Sequence, residues 1–180
     1  MPKRVILREA REGDLELMLA WARVPQYWQY LPTSRKGERL GWENHYSWWK
    51  SRENRVDWMI IYNDRQTRPR AVGVVHIADL DTIHPEVGLY VADEDIWGRD
   101  IGREALELVL DKSRKVYDRL WAVIHPNNKR SVCLFIGLGF REIGPAREGQ
   151  YLYECTFGRS SSPIPEHQRG NRLSYRPSPI

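Results

Sequence analysis

A short apolar strand passes through a glycine-containing loop directly into a helix, and this arrangement limits the possible folds. The strand is predicted at Glu86–Val91, and the loop that follows contains Gly98 and Gly102. Glycine lets a backbone approach a ligand closely, and the free N–H groups of a first helical turn favour an anion. Arg99 and Arg103 flank this position. The stretch therefore predicts a pyrophosphate cradle, although the same glycine spacing also occurs in ordinary tight turns.

Apolar periodicity along the chain predicts strands and helices in the order β-αα-β-β-β-α-β-α-β. The predicted strands are residues 5–10, 58–62, 71–77, 86–91, 120–124 and 150–155, and the predicted helices are residues 14–24, 39–52, 101–116 and 129–137. Asp14 is the expected N-cap of the first helix, and Pro25 is expected to stop it. Hairpin strands that lead into βαβ units are typical of an α/β or α+β fold, with a mixed sheet and helices on both faces.

The composition indicates one domain followed by a tail. The chain has 180 residues, of which 41% are hydrophobic and 29% charged, enough for one well-packed domain at residues 1–157. Residues 158–180 are rich in Ser, Pro and Arg and are expected to lie outside the core. No apolar run approaches the roughly 18 residues of a membrane-spanning helix, and the start lacks a signal-peptide pattern.

The two cysteines bear on the cellular compartment. Cys133 and Cys155 form neither a disulfide framework nor a zinc pattern, and no metal site is expected. Both lie in apolar stretches and are expected to be buried thiols, which suits a cytoplasmic location.

A second motif follows one predicted strand after the first. It runs from Asn128 to Phe140 as Asn-x-x-Ser-x-x-Leu-Phe-x-x-x-Gly-Phe. Together with the strand Glu86–Val91 and the segment Trp97-Gly98-Arg99-Asp100-Ile101-Gly102-Arg103-Glu104-Ala105-Leu106, it resembles the GNAT N-acetyltransferase family. The sequence of the segment from Trp97 to Leu106 is most similar to the branch that includes ribosomal-protein and amino-sugar acetyltransferases. The resemblance covers the chain from about Val5 to Phe157.

The resemblance implies a mostly antiparallel sheet that is splayed into a V between two parallel strands, here Leu89–Val91 and Trp121–Val123. It also implies that acetyl-CoA binds in this V, with its pyrophosphate on the backbone amides from Gly98 to Arg103. The backbone amide of Tyr90 or Leu89 would polarise the thioester carbonyl. The implied cofactor contacts are Leu89, Tyr90, Val91, Gly98, Arg99, Asp100, Ile101, Gly102, Arg103, Asn128, Ser131 and Phe135.

Two positions depart from the family pattern. Asp100 stands where the family usually has glycine. Because Asp tolerates positive φ, the backbone shape can survive, and we expect the carboxylate to turn away from the pyrophosphate. Phe135 stands where many members have a tyrosine that protonates the leaving thiolate. That tyrosine is often missing in the branch that this chain most resembles, so the departure does not exclude activity.

The family's reaction is a direct attack of a free amine on the thioester, and a base must take the ammonium proton. Glu86 is the candidate base or water positioner, with a surface ion pair as the alternative. Ser131 is a candidate proton donor, or else a small residue of the first helical turn. His76 faces the acceptor or is an ordinary sheet histidine. Trp28 and Tyr30 belong to an aromatic cluster where the family builds its acceptor pocket, although such residues also pack helices.

The sequence thus predicts an acetyl-CoA-dependent N-acetyltransferase for a small amine, an amino sugar or a protein N-terminus. Asp100 and Phe135 suggest one alternative, a non-catalytic acyl-CoA-binding relative. A second alternative is a nucleic-acid-binding protein that uses the tail arginines, Arg159, Arg169, Arg172 and Arg176. The net charge of +4 weakly favours anionic partners such as phosphate-bearing cofactors or nucleic acid, but it does not discriminate between them. No membrane partner is expected, and a homodimer is left open.

Overall fold

The computed structural model describes residues 4–30, 41–64, 66 and 68–158. Its strands are β1 (Val5–Glu9), β2 (Val56–Tyr62), β3 (Arg70–Ala78), β4 (Glu86–Val91), β5 (Arg119–Ile124), β6 (Arg141–Pro145) and β7 (Tyr151–Thr156). Its helices are α1 (Leu15–Ala22), α2 (Pro25–Trp28), α3 (Trp42–Ser51), α4 (Ile101–Ser113) and α5 (Lys129–Ile136).

These strands form one sheet in the order β1-β2-β3-β4-β5-β7-β6. Neighbouring strands are antiparallel except β4 and β5, which run parallel. The parallel pair is in register only at Glu86 and Trp121, whereas β5 pairs with β7 along its whole length. β4 and β5 therefore meet at their N-terminal ends and separate beyond them. This confirms the predicted fold class and its splayed parallel pair.

Helices pack on both faces of the sheet because successive strand side chains point to opposite faces. On one face, which we call the α4 face, Leu106 and Val109 of α4 join Val75 in a buried cluster. On the other face, which we call the α1 face, Leu15 of α1 joins Val74 in a second cluster. Val74 and Val75 lie in different clusters and so on opposite faces. Residues of β2 and β4 that pair with them lie on the same face as their partner.

The edge strand β6 is missing from the predicted strand order. All of its residues except Gly144 are exposed, so it lacks the apolar alternation that marks a half-buried strand. Gly144 also lies at a break in the pairing with β7. An exposed and irregular edge strand leaves little signal in its own sequence.

The start of the chain differs from prediction at one cap. Asp14 occupies the N-cap position of α1 but makes no capping bond with its side chain. Its carboxylate instead accepts hydrogen bonds from Arg8 and from the Arg11 backbone N–H. α1 ends at Ala22, and Pro25 opens α2 at the first helical position, where its missing N–H costs nothing.

The cysteine prediction is half right. Cys155 is buried, and burial raises the pKa of its thiol, but Cys133 is exposed on α5. Within the described ranges, no helix is long and apolar enough to span a bilayer. The predicted tail from residue 159 onward, and the first residues of the predicted helix 39–52, lie outside the described residues.

Candidate active site

The gap between β4 and β5 is bounded on one side by the backbone of β4. Three hydrogen bonds show which backbone groups of β4 point toward β3 and which point toward the gap. Ala92 N donates to Val72 O on β3 at 2.7 Å, whereas Pro85 O accepts from Trp121 N of β5 at 2.9 Å. On the same side as Pro85, Val91 O accepts from an indole N–H at 2.8 Å. Odd-numbered residues of β4 therefore present their backbone groups to the gap.

This alternation separates the two candidate amides for a carbonyl in the gap. Leu89 directs its N–H toward the gap, whereas Tyr90 shares the direction of Ala92 and bonds toward β3. Of the two amides predicted to polarise a thioester carbonyl, the amide of Leu89 is therefore directed at the gap and that of Tyr90 is not. The Tyr90 ring lies on the α1 face, where it meets Trp21 edge-on at 6.0 Å. Burial raises the pKa of its phenol, so the hydroxyl stays neutral.

The N-terminus of α4 supplies a second set of backbone donors. The first bond of the helix runs from Glu104 N to Asp100 O at 2.9 Å, so the N–H groups from Asp100 to Arg103 lie outside the helical ladder. Gly98 has a φ of 78°, and a Cβ placed there would meet nothing within 4 Å. The backbone N–H of Arg99 was predicted to bind the pyrophosphate, but it donates to Ile96 O at 3.2 Å. The remaining amides suit an anion.

Asp100 has the positive φ that the sequence predicts. Its φ is 63°, in the left-handed region that aspartate tolerates better than most residues. Its side chain is 71% exposed and makes no capping bond. The nearest cation is Arg103, whose Nε lies 4.0 Å from the Asp100 carboxylate. The carboxylate is therefore exposed to solvent and lies near Arg103.

Gly102 and Arg103 contribute through their backbones. A Cβ on Gly102 would contact Leu89 at 3.4 Å and Leu134 and Val91 at 3.7 Å, so a side chain there would point into the protein. The Arg103 guanidinium donates to Gly137 O at 3.3 Å, at the end of α5. Both residues thus place α4 against β4 and α5 while their N–H groups stay available.

The start of α5 lies beside the same gap, after β5. Asn128 is its N-cap, and Asn128 Oδ1 accepts from Ser131 N at 3.2 Å. This confirms Asn128 as a helix cap. Ser131 is half-buried in the first turn of α5.

Phe135 belongs to the core of the α4 face. Its ring is 2% exposed and packs edge-on against Phe140 at 4.9 Å. A side chain that lined a ligand cleft would be accessible when no ligand is present. The Phe135 side chain is therefore not in a position to contact the cofactor, in contrast to the prediction.

Three residues at the open end of β4 were not predicted as site residues. Trp97 donates its indole N–H to Val91 O, and the Arg130 guanidinium lies 4.5 Å from its ring centre. Tyr27 donates its hydroxyl to Ala92 O and meets the Trp97 ring at 6.4 Å. Trp97 could have been found from its place next to Gly98 in the motif. Tyr27 belongs to the aromatic cluster of the sequence, although its contact with β4 was not predicted, and Arg130 leaves no local signal because only the fold brings it there.

The segment 25–30 links the two open ends of the V. Its Tyr27 holds the end of β4, and its Tyr30 carbonyl accepts from Gln150 Nε2, at the start of β7, at 3.3 Å. The Tyr30 ring also lies 5.6 Å from the ring of His125, directly after β5. Tyr30 is thus at the mouth, where an acceptor was expected. Trp28 lies in α2, and its side chain is outside the described residues.

A polar row lies on the α1 face beside the closed end of the V. The register pairs Asp57 with His76 across β2 and β3, and His76 with Gly88 across β3 and β4. Glu86 lies on the same face, at the point where β4 still pairs with Trp121. The structure therefore brings the predicted residues Glu86 and His76 onto one face.

Asp57 is the charged centre of this row. Its side chain is fully buried and accepts from Arg52 at 2.6 Å and from Arg55 at 2.9 Å. Burial alone would raise the pKa of Asp57, but Arg55, together with His76 and Arg52, holds it below its usual range. Asp57 is therefore ionised. Among the described residues, no group of three or more His, Cys, Asp or Glu side chains is placed to hold a metal ion.

The comparisons with known proteins identify the family. Residues 4–141 match the model of the acetyltransferase (GNAT) domain. The chain therefore belongs to the GNAT family. It is 40% identical over 152 residues to uncharacterized protein MJ1062 of Methanocaldococcus jannaschii. That match covers 84% of this chain and 31% of the relative, so the chain spans about a third of that protein's length.

Solved structures share the fold. A domain from Methanocaldococcus jannaschii superposes with a TM-score of 0.81 at 39% identity, over 86% of this chain and 99% of that one. Aminoglycoside acetyltransferase AAC(6')-Ib with coenzyme A and kanamycin gives 0.69 at 13% identity, over 84% and 94%. Spermidine N-acetyltransferase from Vibrio cholerae with CoA and spermine gives 0.68 at 14% identity, over 84% and 93%. The last two likenesses concern the fold alone.

Proposed function

We propose that this protein transfers the acetyl group of acetyl-CoA directly to a primary amine. One observation carries the proposal: the parallel strands β4 and β5 pair only at Glu86 and Trp121, so a gap edged by β4 amides opens toward the N-terminus of α4. A backbone edge followed by a helix N-terminus fits an extended ligand that ends in a pyrophosphate.

The residues present fit acetyl-CoA. The N–H groups of Asp100, Ile101, Gly102 and Arg103 would hold the pyrophosphate, and Gly98 leaves the approach open. Leu89 and Val91 would bond the pantetheine arm with their backbones, and Asn128 and Ser131 would border it from α5. When bound, acetyl-CoA supplies an acetyl group activated as a thioester.

Backbone and side-chain groups of the protein would then activate the thioester and the acceptor amine. The Leu89 N–H is directed at the gap, where it would polarise a carbonyl. Glu86 lies three residues before Leu89, toward the closed end, where its carboxylate would position the water that links the ammonium proton to a base. Ser131 is the candidate proton donor to the leaving sulfur, since Phe135 has no hydroxyl to give.

The acceptor would reach the gap from the α1 face. Tyr30 lies at the open mouth of the gap beside His125, and His76 and Glu86 lie toward the closed end. Trp28 stays a proposed contact on its sequence position alone. Two fold relatives are named for aminoglycoside and spermidine acetylation, which supports a small amine or amino sugar as the acceptor, whereas a protein N-terminus is proposed on the sequence resemblance alone.

The test is a turnover screen with acetyl-CoA over small amines, amino sugars, aminoglycosides and peptides with free N-termini. Thiol release that depends on one class of amine, with an acetylated product by mass spectrometry, is the expected result. A matched series of N-methylated or N-acetylated amines is the control. Tight binding of acetyl-CoA by calorimetry without thiol release for any amine would instead support the non-catalytic alternative.

A further inference from the structure

The polar row on the α1 face ends where the V begins to open. Gly88 follows Glu86 by two residues, and Glu86 is the only position at which β4 and β5 are in register. His76 stands opposite Gly88, and Asp57 stands opposite His76. The row therefore runs from a buried carboxylate, through an imidazole, to the edge of the gap.

Gly88 leaves room for the imidazole. A Cβ on Gly88 would lie 2.7 Å from His76 Cε1, closer than real Cβ atoms approach, and 3.0 Å from Nε2. The His76 ring therefore lies over the β4 backbone at Gly88. The next amide along the chain is that of Leu89, which is directed into the gap. His76 is half-buried, so the ring is reachable from the α1 face.

The charges around the ring suit a group that gains and loses a proton. From β2, the Asp57 carboxylate faces it, and Arg52 and Arg55 offset that negative charge. From β4, Glu86 and the neutral phenol of Tyr90 lie on the same face. A carboxylate beside an imidazole fixes the ring by accepting its N–H, and the two guanidinium groups keep the surroundings from being strongly negative.

We propose that His76 takes the proton of the acceptor ammonium and that Asp57 positions its ring. The assignment rests on the proposed function and deepens it. His76 accepts one proton from the amine nitrogen, whose freed electron pair forms the C–N bond to the acetyl carbonyl carbon while the C–S bond breaks. The sulfur keeps the electron pair of that bond and takes a proton from Ser131, which regains one from the nitrogen through water. His76 then returns its proton to water beside Glu86.

The test compares His76→Gln with a matched control, His84→Gln. His84 is also half-buried, but it stacks on Trp121 at 3.8 Å at the closed end of the V. We expect His76→Gln to lower kcat by about 10- to 1000-fold. It should also remove the histidine limb of the pH profile, which is the rise of kcat/KM between about pH 5 and 8 as a histidine loses its proton. The Kd for acetyl-CoA, measured by calorimetry, should stay within about threefold. His84→Gln should keep the wild-type kcat and the limb.

A second readout does not depend on turnover. NMR follows the His76 imidazole against pH in the protein without acetyl-CoA. In Asp57→Asn the midpoint should fall, because the charges of Arg52 and Arg55 remain while the carboxylate charge is gone. Arg55→Gln should raise the midpoint, and it serves if Asp57→Asn does not fold. Unchanged midpoints in the folded variants would overturn the positioning role of Asp57.

The outcomes separate this assignment from the proposed function. A His76→Gln enzyme with kcat within twofold of wild type and the same pH profile would overturn the assignment and leave the acetyltransferase intact. A wild-type protein that binds acetyl-CoA but acetylates none of the amines would contradict the proposed function, and this assignment with it.

Discussion

At the scale of single residues, Asp100 illustrates how backbone conformation decides whether a departure from a family pattern matters. Its φ of 63° reproduces what glycine provides at a helix start, and its carboxylate is 71% exposed. The side chain therefore stays clear of the position proposed for the pyrophosphate. The charge that looked unfavourable in the sequence faces solvent and Arg103.

Asp100→Gly should therefore change the Kd for acetyl-CoA by less than about threefold. A carboxylate within a few ångströms of a pyrophosphate would cost about 2–4 kcal/mol at an effective dielectric near 20. Removing that repulsion would tighten binding tenfold or more, and the gain would shrink at high salt. Calorimetric titration at two salt concentrations distinguishes the two cases, and a tenfold gain would contradict the outward position.

Asp57 is the residue on which the acid stability of this face should depend. Breaking a buried ion pair by removing one partner costs about 3–5 kcal/mol, so Asp57→Asn should lose about that much at pH 7. Because the pKa of Asp57 is lowered in the folded protein, its contribution is present above the ordinary carboxyl pKa of about 3.9. The contribution is lost as pH falls through the lowered value. Urea denaturation of both proteins at several pH values should show the difference shrinking in acid. A constant difference would contradict this.

At the scale of elements, the sequence predicts what is local. The strand Glu86–Val91, the start of α4 and the Asn128 cap follow from glycine positions, apolar spacing and a capping residue, and all are found. β6 is not found this way, because its residues are exposed. The row of Asp57, His76 and Gly88 could not be predicted either, since it depends on the register of three strands that local spacing does not fix.

The register of β3 against β4 gives a prediction about Gly88. A Cβ at this position would force the His76 ring to move, so Gly88→Ala should lower kcat with little change in the Kd for acetyl-CoA. In a His76→Gln background the same change should have a much smaller effect on kcat, because there is no imidazole to displace. Equal effects in both backgrounds would mean that Gly88 acts through the backbone of β4 itself.

At the scale of the whole molecule, the sheet brings two kinds of chemistry to one gap. The N-termini of α4 and α5 and the β4 backbone contribute donors, the α1 face contributes the polar row, and the segment 25–30 lies at the open ends of the strands. The match to about a third of MJ1062 shows that this fold also occurs within a longer chain. The proposed acetyl transfer needs only residues within the matched GNAT region, 4–141.

The composition of the tail gives a further prediction. Residues 158–180 contain few apolar side chains to bury, so their removal should change the free energy of unfolding by less than about 1 kcal/mol. Thermal and urea denaturation of the full chain and of residues 1–157 make the comparison. A larger loss would mean that the tail packs on the domain or on a second copy.

The proposal that one gap holds acetyl-CoA can be tested by following backbone amide resonances during titration with acetyl-CoA. The amides of Leu89, Val91 and residues 101–103 should shift most and become protected from hydrogen exchange, because they are directed at the gap or lie outside the helical ladder. The amides of the edge strands β1 and β6 should stay unchanged. Saturation without shifts at β4 and the start of α4, or with the largest shifts elsewhere, would contradict the site.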